Sequence, residues 1–177
     1  MVENEKLKIY FDKNTHLVER LIDKQKGREL KMKMELVRYM AAHGESGAYI
    51  MAYNMPARNI KLQLIKTVIQ RGYHSTQVIN FYKSPFKSSC FCFVIMQLDN
   101  HDLVSEVLKI SIKTFHFDNE EVYLRFRTNL DETKLITHNS VYHLDTTTLT
   151  KGKREFSYRD IGVHYFPSTV LSALRYD

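Results

Sequence analysis

The stretch "NMPARNIKLQLIKTVIQRGY", residues 54–73, is an amphipathic segment that contains no acidic residue. Pro56 stands beside its start and Gly72 at its end, an asymmetry typical of α-helices. At about 100° per residue, its apolar side chains fall on one arc of a helix. Amides, a hydroxyl and a lysine fall on the opposite arc. We therefore predict a helix over residues 57–71 with a polar face that carries no carboxylate.

The absence of acidic residues extends well beyond this segment. From Ser46 to Leu98 the chain has no Asp or Glu, and its basic residues there are Arg58, Lys61, Lys66, Arg71, Lys83 and Lys87. The whole chain of 177 residues carries a net charge of +6, and its pI is about 9.2. Because a solvated protein face usually mixes both signs of charge, this basic balance favours an anionic partner.

The neighbouring patterns predict the elements around this helix. Met34, Val37 and Met40 lie on one face of a helix predicted over residues 31–43, and a short apolar element follows at 46–54. After the glycine come two β-rich runs, "STQVINFY" and "SSCFCFVIM", joined by the basic tip "KSPFK". Proline and serine at this joint predict a hairpin loop.

The order helix, helix, turn, helix, strand, wing, strand resembles the winged helix-turn-helix family. The residues that carry the resemblance are "ELVRYMAAHGESGAYIMAYNMPARNIKLQLIKTVIQRGY", and the match covers roughly residues 31–98. The resemblance implies binding to duplex DNA, because amides can pair with adenine edges and lysine can reach guanine or phosphate. The predicted DNA-binding residues are Arg58, Asn59, Gln63, Lys66, Thr67 and Gln70 on the helix, with Lys83 and Lys87 on the wing.

The predicted fold class is α+β, with a winged helix-turn-helix module, an N-terminal helical extension and a β-rich C-terminal region. "LKIYF" predicts a short strand, and "NTHLVERLIDKQ" predicts a helix capped by Asn14 or Thr15. We assign residues 1–98 to the module and 99–177 to oligomerisation or partner binding. A homodimer is expected because such modules usually bind paired half-sites. The predicted function is that of a transcriptional regulator or a replication accessory factor.

Two other functions remain as alternatives to DNA binding. The first is a winged-helix module that binds protein. The second is a phosphodiesterase, because His74 with Thr76 and His138 with Ser140 form two His-x-Thr/Ser units, which resemble the 2H phosphoesterases. In that family the histidines act as acid and base on a phosphodiester. The sequence has no glycine-rich phosphate loop, no His-Glu-x-x-His and no zinc-spaced cysteines, so we predict no metal and no cofactor.

The sequence also predicts the cellular compartment of the protein. Its two cysteines, Cys90 and Cys92, are expected to be reduced core thiols. The N-terminus is charged, which argues against a signal peptide, and no segment approaches the about 18 apolar residues of a membrane helix. A cytoplasmic location without membrane contact is therefore predicted.

Overall fold

The computed structural model describes residues 1–40, 56–86, 90–101, 105–115, 120–129, 134–140, 143–148 and 171–175. Within these ranges every regular element is a β-strand and none is a helix. It follows that no helix in the described part of the chain could span a membrane. The chain divides into two units, the first comprising residues 1–38 and 57–129 and the second residues 39–56 and 130–177.

The first unit contains two antiparallel sheets. The strands of the first sheet are hydrogen-bonded in the order β1 (Val2–Glu3), β2 (Leu7–Phe11), β3 (Val18–Asp23), β4 (Arg28–Met40) and β10 (Glu120–Thr128), and β5 (Arg58–Asn59) also pairs with β4. The second sheet follows chain order: β6 (Gln63–Arg71), β7 (Ser75–Lys83), β8 (Phe91–Asp99) and β9 (Leu108–Phe115).

The two sheets enclose a single hydrophobic core, so the first unit is a β-sandwich. Buried side chains alternate with more exposed ones along β7 and β8, as expected for strands with one face against a core. The first sheet contributes Ile9, Val18, Met34 and Leu36 to the core, and the second contributes Val78, Cys92, Val94, Met96 and Leu98. The predicted hairpin between residues 75–82 and 88–96 is confirmed as the pair of β7 and β8.

The second unit contains a three-stranded antiparallel sheet. It is formed by β11 (Lys134–Ser140), β12 (His143–Thr148) and β13 (Leu171–Arg175), in the order β12, β11, β13. The β-rich character predicted for the C-terminal region holds for these strands.

The predicted winged helix is wrong, and so is the α+β fold class. Residues 31–40 of the first predicted helix belong to β4, and residues 63–71 of the predicted recognition helix form β6. The element predicted at 46–54 lies outside the described residues. Leu30, Met32, Met34 and Leu36 alternate with charged residues, which is the period of a strand. In β6, Ile65, Thr67, Val68 and Ile69 are β-branched, and such residues favour strands.

The predicted N-terminal helix is also wrong. Residues 18–23 form β3, and a turn precedes it in which the Asp12 carboxylate accepts hydrogen bonds from the backbone N–H groups of Asn14 and Thr15, at 3.0 and 2.7 Å. Sequence reasoning failed here because the polar residues that cap helices also stabilise turns.

Strand pairing differs from the prediction in one further place. The turn signal "DNE", residues 118–120, predicts a hairpin between residues 102–117 and 121–130, and strands are present in both segments. However, β9 pairs with β8, whereas β10 joins β4 in the other sheet. The predicted domain division after residue 98 stays a prediction; β8 and β9, the strands nearest to it, are hydrogen-bonded neighbours.

Candidate functional site

A groove of about 470 Å³ opens on the first unit between the turn after β2 and strands β4 and β5. Its surface combines polar side chains with apolar ones, which is the usual composition of a ligand site. The polar lining residues are Asp12, Asn14, Thr15, Glu19, Lys33, Glu35, Asn59 and Tyr82, and the apolar ones are Leu17, Val18, Met34, Leu36, Ile60 and Leu62. We call it the Glu35 groove, after the most highly connected side chain in it.

Glu35 is a buried carboxylate held by several cations. Arg125 donates from Nε to Oε2 at 2.9 Å, and Arg127 donates from Nε to the same oxygen at 3.1 Å. Lys33 Nζ lies 3.1 Å from Oε1. The Asn59 amide lies 3.5 Å from Oε1 and accepts a hydrogen bond from Arg125. We refer to these five residues as the Glu35 cluster.

The cations keep Glu35 ionised. Burial acts to raise the pKa of Glu35, but the hydrogen bonds and positive charges of Lys33 and Arg125 outweigh it and lower the pKa to about 2. Such a group is a strong hydrogen-bond acceptor at neutral pH. It has no proton to donate to a ligand.

Asp12, at the rim of the groove, is ionised for a different reason. The backbone N–H and the hydroxyl of Thr15 both donate to its carboxylate, at 2.7 and 2.8 Å. These hydrogen bonds lower the pKa of Asp12. Asp12 is therefore a fixed acceptor as well.

A second polar cluster joins the turn before β3 to β6 and β7 of the second sheet. Asn80, which is 0% exposed, donates to the backbone carbonyl of His16 at 2.8 Å and accepts from the Thr67 hydroxyl at 2.7 Å. The Thr67 hydroxyl also lies 2.7 Å from Nδ1 of His16. His16 has a φ of 54°, in the sparsely populated left-handed region, so these bonds hold a strained turn in place. We call His16, Thr67 and Asn80 the Asn80 cluster.

Tyr82 is a buried residue in contact with Asn80 of the Asn80 cluster. It lines the groove, is 3% exposed, and donates its hydroxyl hydrogen to the Thr15 carbonyl. Burial raises its pKa, so the phenol stays protonated and keeps this hydrogen bond.

The residues predicted to bind DNA do not form one surface. Asn59 belongs to the Glu35 cluster, and Thr67 belongs to the Asn80 cluster. Arg58 pairs with Arg38 in the backbone register of β5 and β4. The remaining described positions, Gln63, Lys66, Gln70 and Lys83, lie on β6 and β7, and Lys87 lies outside the described residues.

The two His-x-Thr/Ser units belong to different units of the molecule. His74 lies in the turn before β7, where its ring contacts Tyr73 at 5.0 Å between centroids, and Thr76 is buried in β7. His138 and Ser140 are residues of β11 in the second unit.

Sequence reasoning missed Asp12, Lys33, Glu35, Arg125 and Arg127. Two of the missed pairs carry an alternation signal: Lys33 and Glu35 are two residues apart, as are Arg125 and Arg127, so each pair lies on one face of a strand. Among the described residues, no group of His, Cys, Asp and Glu has the arrangement of a metal site.

The chemistry of the Glu35 groove suits a ligand with many hydroxyl groups. Ionised carboxylates accept hydrogen bonds from hydroxyls, and the Lys33 ammonium and the Asn59 amide can donate to them. Leu17, Ile60 and Leu62 offer an apolar surface for C–H groups.

The comparison with known families gives one finding. The model of the glycosyl hydrolases family 38 C-terminal domain matches residues 2–163. No curated protein matches the chain. The family match, together with the absence of helices among the described residues, overturns the predicted DNA-binding function and both alternatives, the winged-helix interaction module and the phosphodiesterase.

Proposed function

The chain belongs to the glycosyl hydrolases family 38 C-terminal domain, and we propose on that premise that its first unit binds a saccharide in the Glu35 groove as a non-catalytic part of a glycosidase. The observation that carries the proposal is the Glu35 cluster itself. A buried carboxylate, an amide and a lysine converge on one groove that also has an apolar wall.

The state of the carboxylates favours binding over bond cleavage. Glycoside hydrolysis requires a pair of carboxyl groups, one of which stays protonated to act as the general acid. The pKa values of Glu35 and Asp12 are both lowered, so neither residue holds that proton near neutral pH. Both are suited to the other task, which is to accept hydrogen bonds from sugar hydroxyls.

The lining favours a neutral saccharide over an anionic one. Three carboxylates, those of Asp12, Glu19 and Glu35, line the groove with a single cation, Lys33, so an anionic ligand would meet repulsion from most of the charged lining. A pyranose ring offers hydroxyls to the polar rim and C–H groups to Leu17, Ile60 and Leu62.

The test is a binding measurement against a panel of neutral oligosaccharides built from glucose, mannose, galactose and N-acetylglucosamine. We expect the wild-type chain to bind at least one member, and Glu35→Gln to weaken that binding by about tenfold, the effect of losing a charge-assisted hydrogen bond of about 1.4 kcal/mol. Glu106→Gln is the matched control, because Glu106 is 56% exposed, contacts Lys6 and lies outside the groove. The proposal fails if no panel member binds, or if both variants weaken binding equally.

We also propose a cytoplasmic location for the chain. Cys90 and Cys92 are buried thiols rather than a disulfide, which is typical of a reducing compartment. Burial raises the pKa of Cys92 to about 12, so that thiol stays protonated and unreactive.

We also propose that the chain forms a homodimer, a proposal that does not rest on the Glu35 groove.

A further inference from the structure

The sheet of β6 to β9 has a second face, turned away from the core. Alternation places the side chains of this face two residues apart along each strand. Its apolar members are Val68, Ile79, Phe81, Phe91, Phe93, Ile95 and Phe115, and none of them is among the core residues or the residues that pack against the core. We call this surface the phenylalanine face.

The aromatic rings of this face contact one another across the strands. The centroids of Phe81 and Phe93 are 5.0 Å apart and those of Phe93 and Phe115 are 5.5 Å apart, both edge to face. Phe91 is directly opposite Phe115 in the register, and these two side chains are 40% and 43% exposed. A contiguous aromatic surface of this kind marks an interaction site more often than single exposed apolar residues do.

The charge of the phenylalanine face has one sign over most of its length. Lys66 is the register partner of Phe81, Lys113 that of Phe93, and Lys83 that of Phe91. No Asp or Glu occurs in β6, in β7, in β9 or in β8 before Asp99, its last residue. The stretch without acidic residues thus supplies three of the strands that build a lysine-framed apolar surface.

The arrangement of rings and lysines on the phenylalanine face distinguishes between possible binding partners. A second copy of this face would bring lysines against lysines, which is unfavourable. A lipid bilayer would have to cover β6 and β9, the outer strands of this sheet as described, and unpaired backbone groups at sheet edges are not tolerated in hydrocarbon. A protein surface can complement both the rings and the ammonium groups.

We propose that the phenylalanine face docks onto an apolar protein surface that is framed by carboxylates. The rings supply the desolvated centre of the interface, and Lys66, Lys83 and Lys113 fix its orientation by pairing with the carboxylates. This role is independent of the Glu35 groove, because the two surfaces share no residue.

The test uses the full chain and a fluorescent peptide of alternating leucine and glutamate, compared with the same peptide with lysine in place of glutamate. We expect anisotropy to show binding of the glutamate peptide alone. The double variant Lys66→Glu/Lys113→Glu should weaken binding by about tenfold or more, since each change converts attraction into repulsion. Lys61→Glu, from the same acid-free stretch but outside the four strands, should leave binding unchanged.

Several outcomes would overturn the proposal. Equal binding of both peptides would indicate unspecific hydrophobic contact, and equal losses in the double variant and Lys61→Glu would indicate general charge attraction. Binding to vesicles of phosphatidylserine and phosphatidylcholine without binding to the glutamate peptide would identify a membrane surface. A dimer in sedimentation that dissociates in Phe93→Ser, with unchanged urea unfolding, would identify a second copy as the occupant.

Discussion

The two polar clusters of the first unit differ in charge and in exposure to solvent. The Asn80 cluster contains no carboxylate, lysine or arginine, and its central side chain is 0% exposed, with both groups of its amide hydrogen-bonded. The Glu35 cluster is charged, and the side chains of Lys33 and Arg127 are 72% and 63% exposed.

This difference indicates that the two clusters have different roles. Buried, fully satisfied polar groups are costly to disturb and specify one packing arrangement, so the Asn80 cluster fixes the turn at His16 against the second sheet. Exposed cations around a buried carboxylate have spare donors that can exchange water for a ligand. We therefore assign structure to the first cluster and binding to the second.

The largest stability effect is expected for Asn80→Ala. The change leaves the His16 carbonyl and the Thr67 hydroxyl without their buried partner, at a cost of about 1–3 kcal/mol each, so we expect a loss of about 2–4 kcal/mol in the free energy of unfolding. Urea unfolding at pH 7 measures it. Gln70→Ala, an exposed amide on β6 in the same sheet, should cost less than about 0.5 kcal/mol. Equal losses in the two variants would remove the structural role of Asn80.

The next largest effect concerns the stability of the protein at low pH. The pKa of Glu35 is lowered from 4.5 to about 2, so its contribution to stability is complete above about pH 4.5 and is lost as the pH falls towards 2. We expect this loss to amount to about 1–3 kcal/mol, reduced by solvent at the exposed cations. Stability measured by urea unfolding between pH 5 and pH 2.5 should show a shallower decline for Glu35→Gln than for the wild type. Parallel declines would contradict the ion pairing described here.

A smaller effect is expected for Tyr82→Phe, which removes the hydrogen bond from the phenol to the Thr15 carbonyl at the rim of the groove. Thr15 is exposed, so water can replace the lost donor at its carbonyl, and we expect a cost of about 1 kcal/mol in thermal or urea unfolding. A loss as large as that of Asn80→Ala would mean that Tyr82 contributes to stability as a member of the Asn80 cluster.

The smallest effect is expected for Lys33→Ala. Its ammonium contacts Glu35, but the side chain is 72% exposed, so stability should fall by only about 0.2–1 kcal/mol. Saccharide binding should weaken in the same variant, because Lys33 is a donor at the groove. Unchanged binding together with a large stability loss would reverse the proposed roles.

Part of this architecture could be predicted from the sequence. The strands at 7–11, 75–82 and 88–96 were identified because β-branched and aromatic residues dominate them. Residues 31–40 were misassigned because Met34, Val37 and Met40 fit helical spacing, while Leu30, Met32 and Leu36 extend the alternation from Met34. The longer alternating run determines the structure, since it lets β4 bury one face against the core.

Local sequence patterns could not predict most of the candidate site. Glu35 and Arg125 are 90 residues apart, and they meet because β10 pairs with β4 rather than with the adjacent β9. No periodicity in either segment encodes that choice of partner. Asn59 was identified, but for a helix face that does not exist.

The most direct test of the division between the clusters is a titration of the isotope-labelled wild-type chain with the panel oligosaccharide that binds most tightly, followed by backbone amide NMR. We expect progressive shifts at Thr15, Lys33 and Asn59 around the groove, with Gln77 and Gln97 on the opposite sheet unchanged. Shifts that spare the Glu35 groove, or that are confined to β11, β12 and β13, would contradict that division.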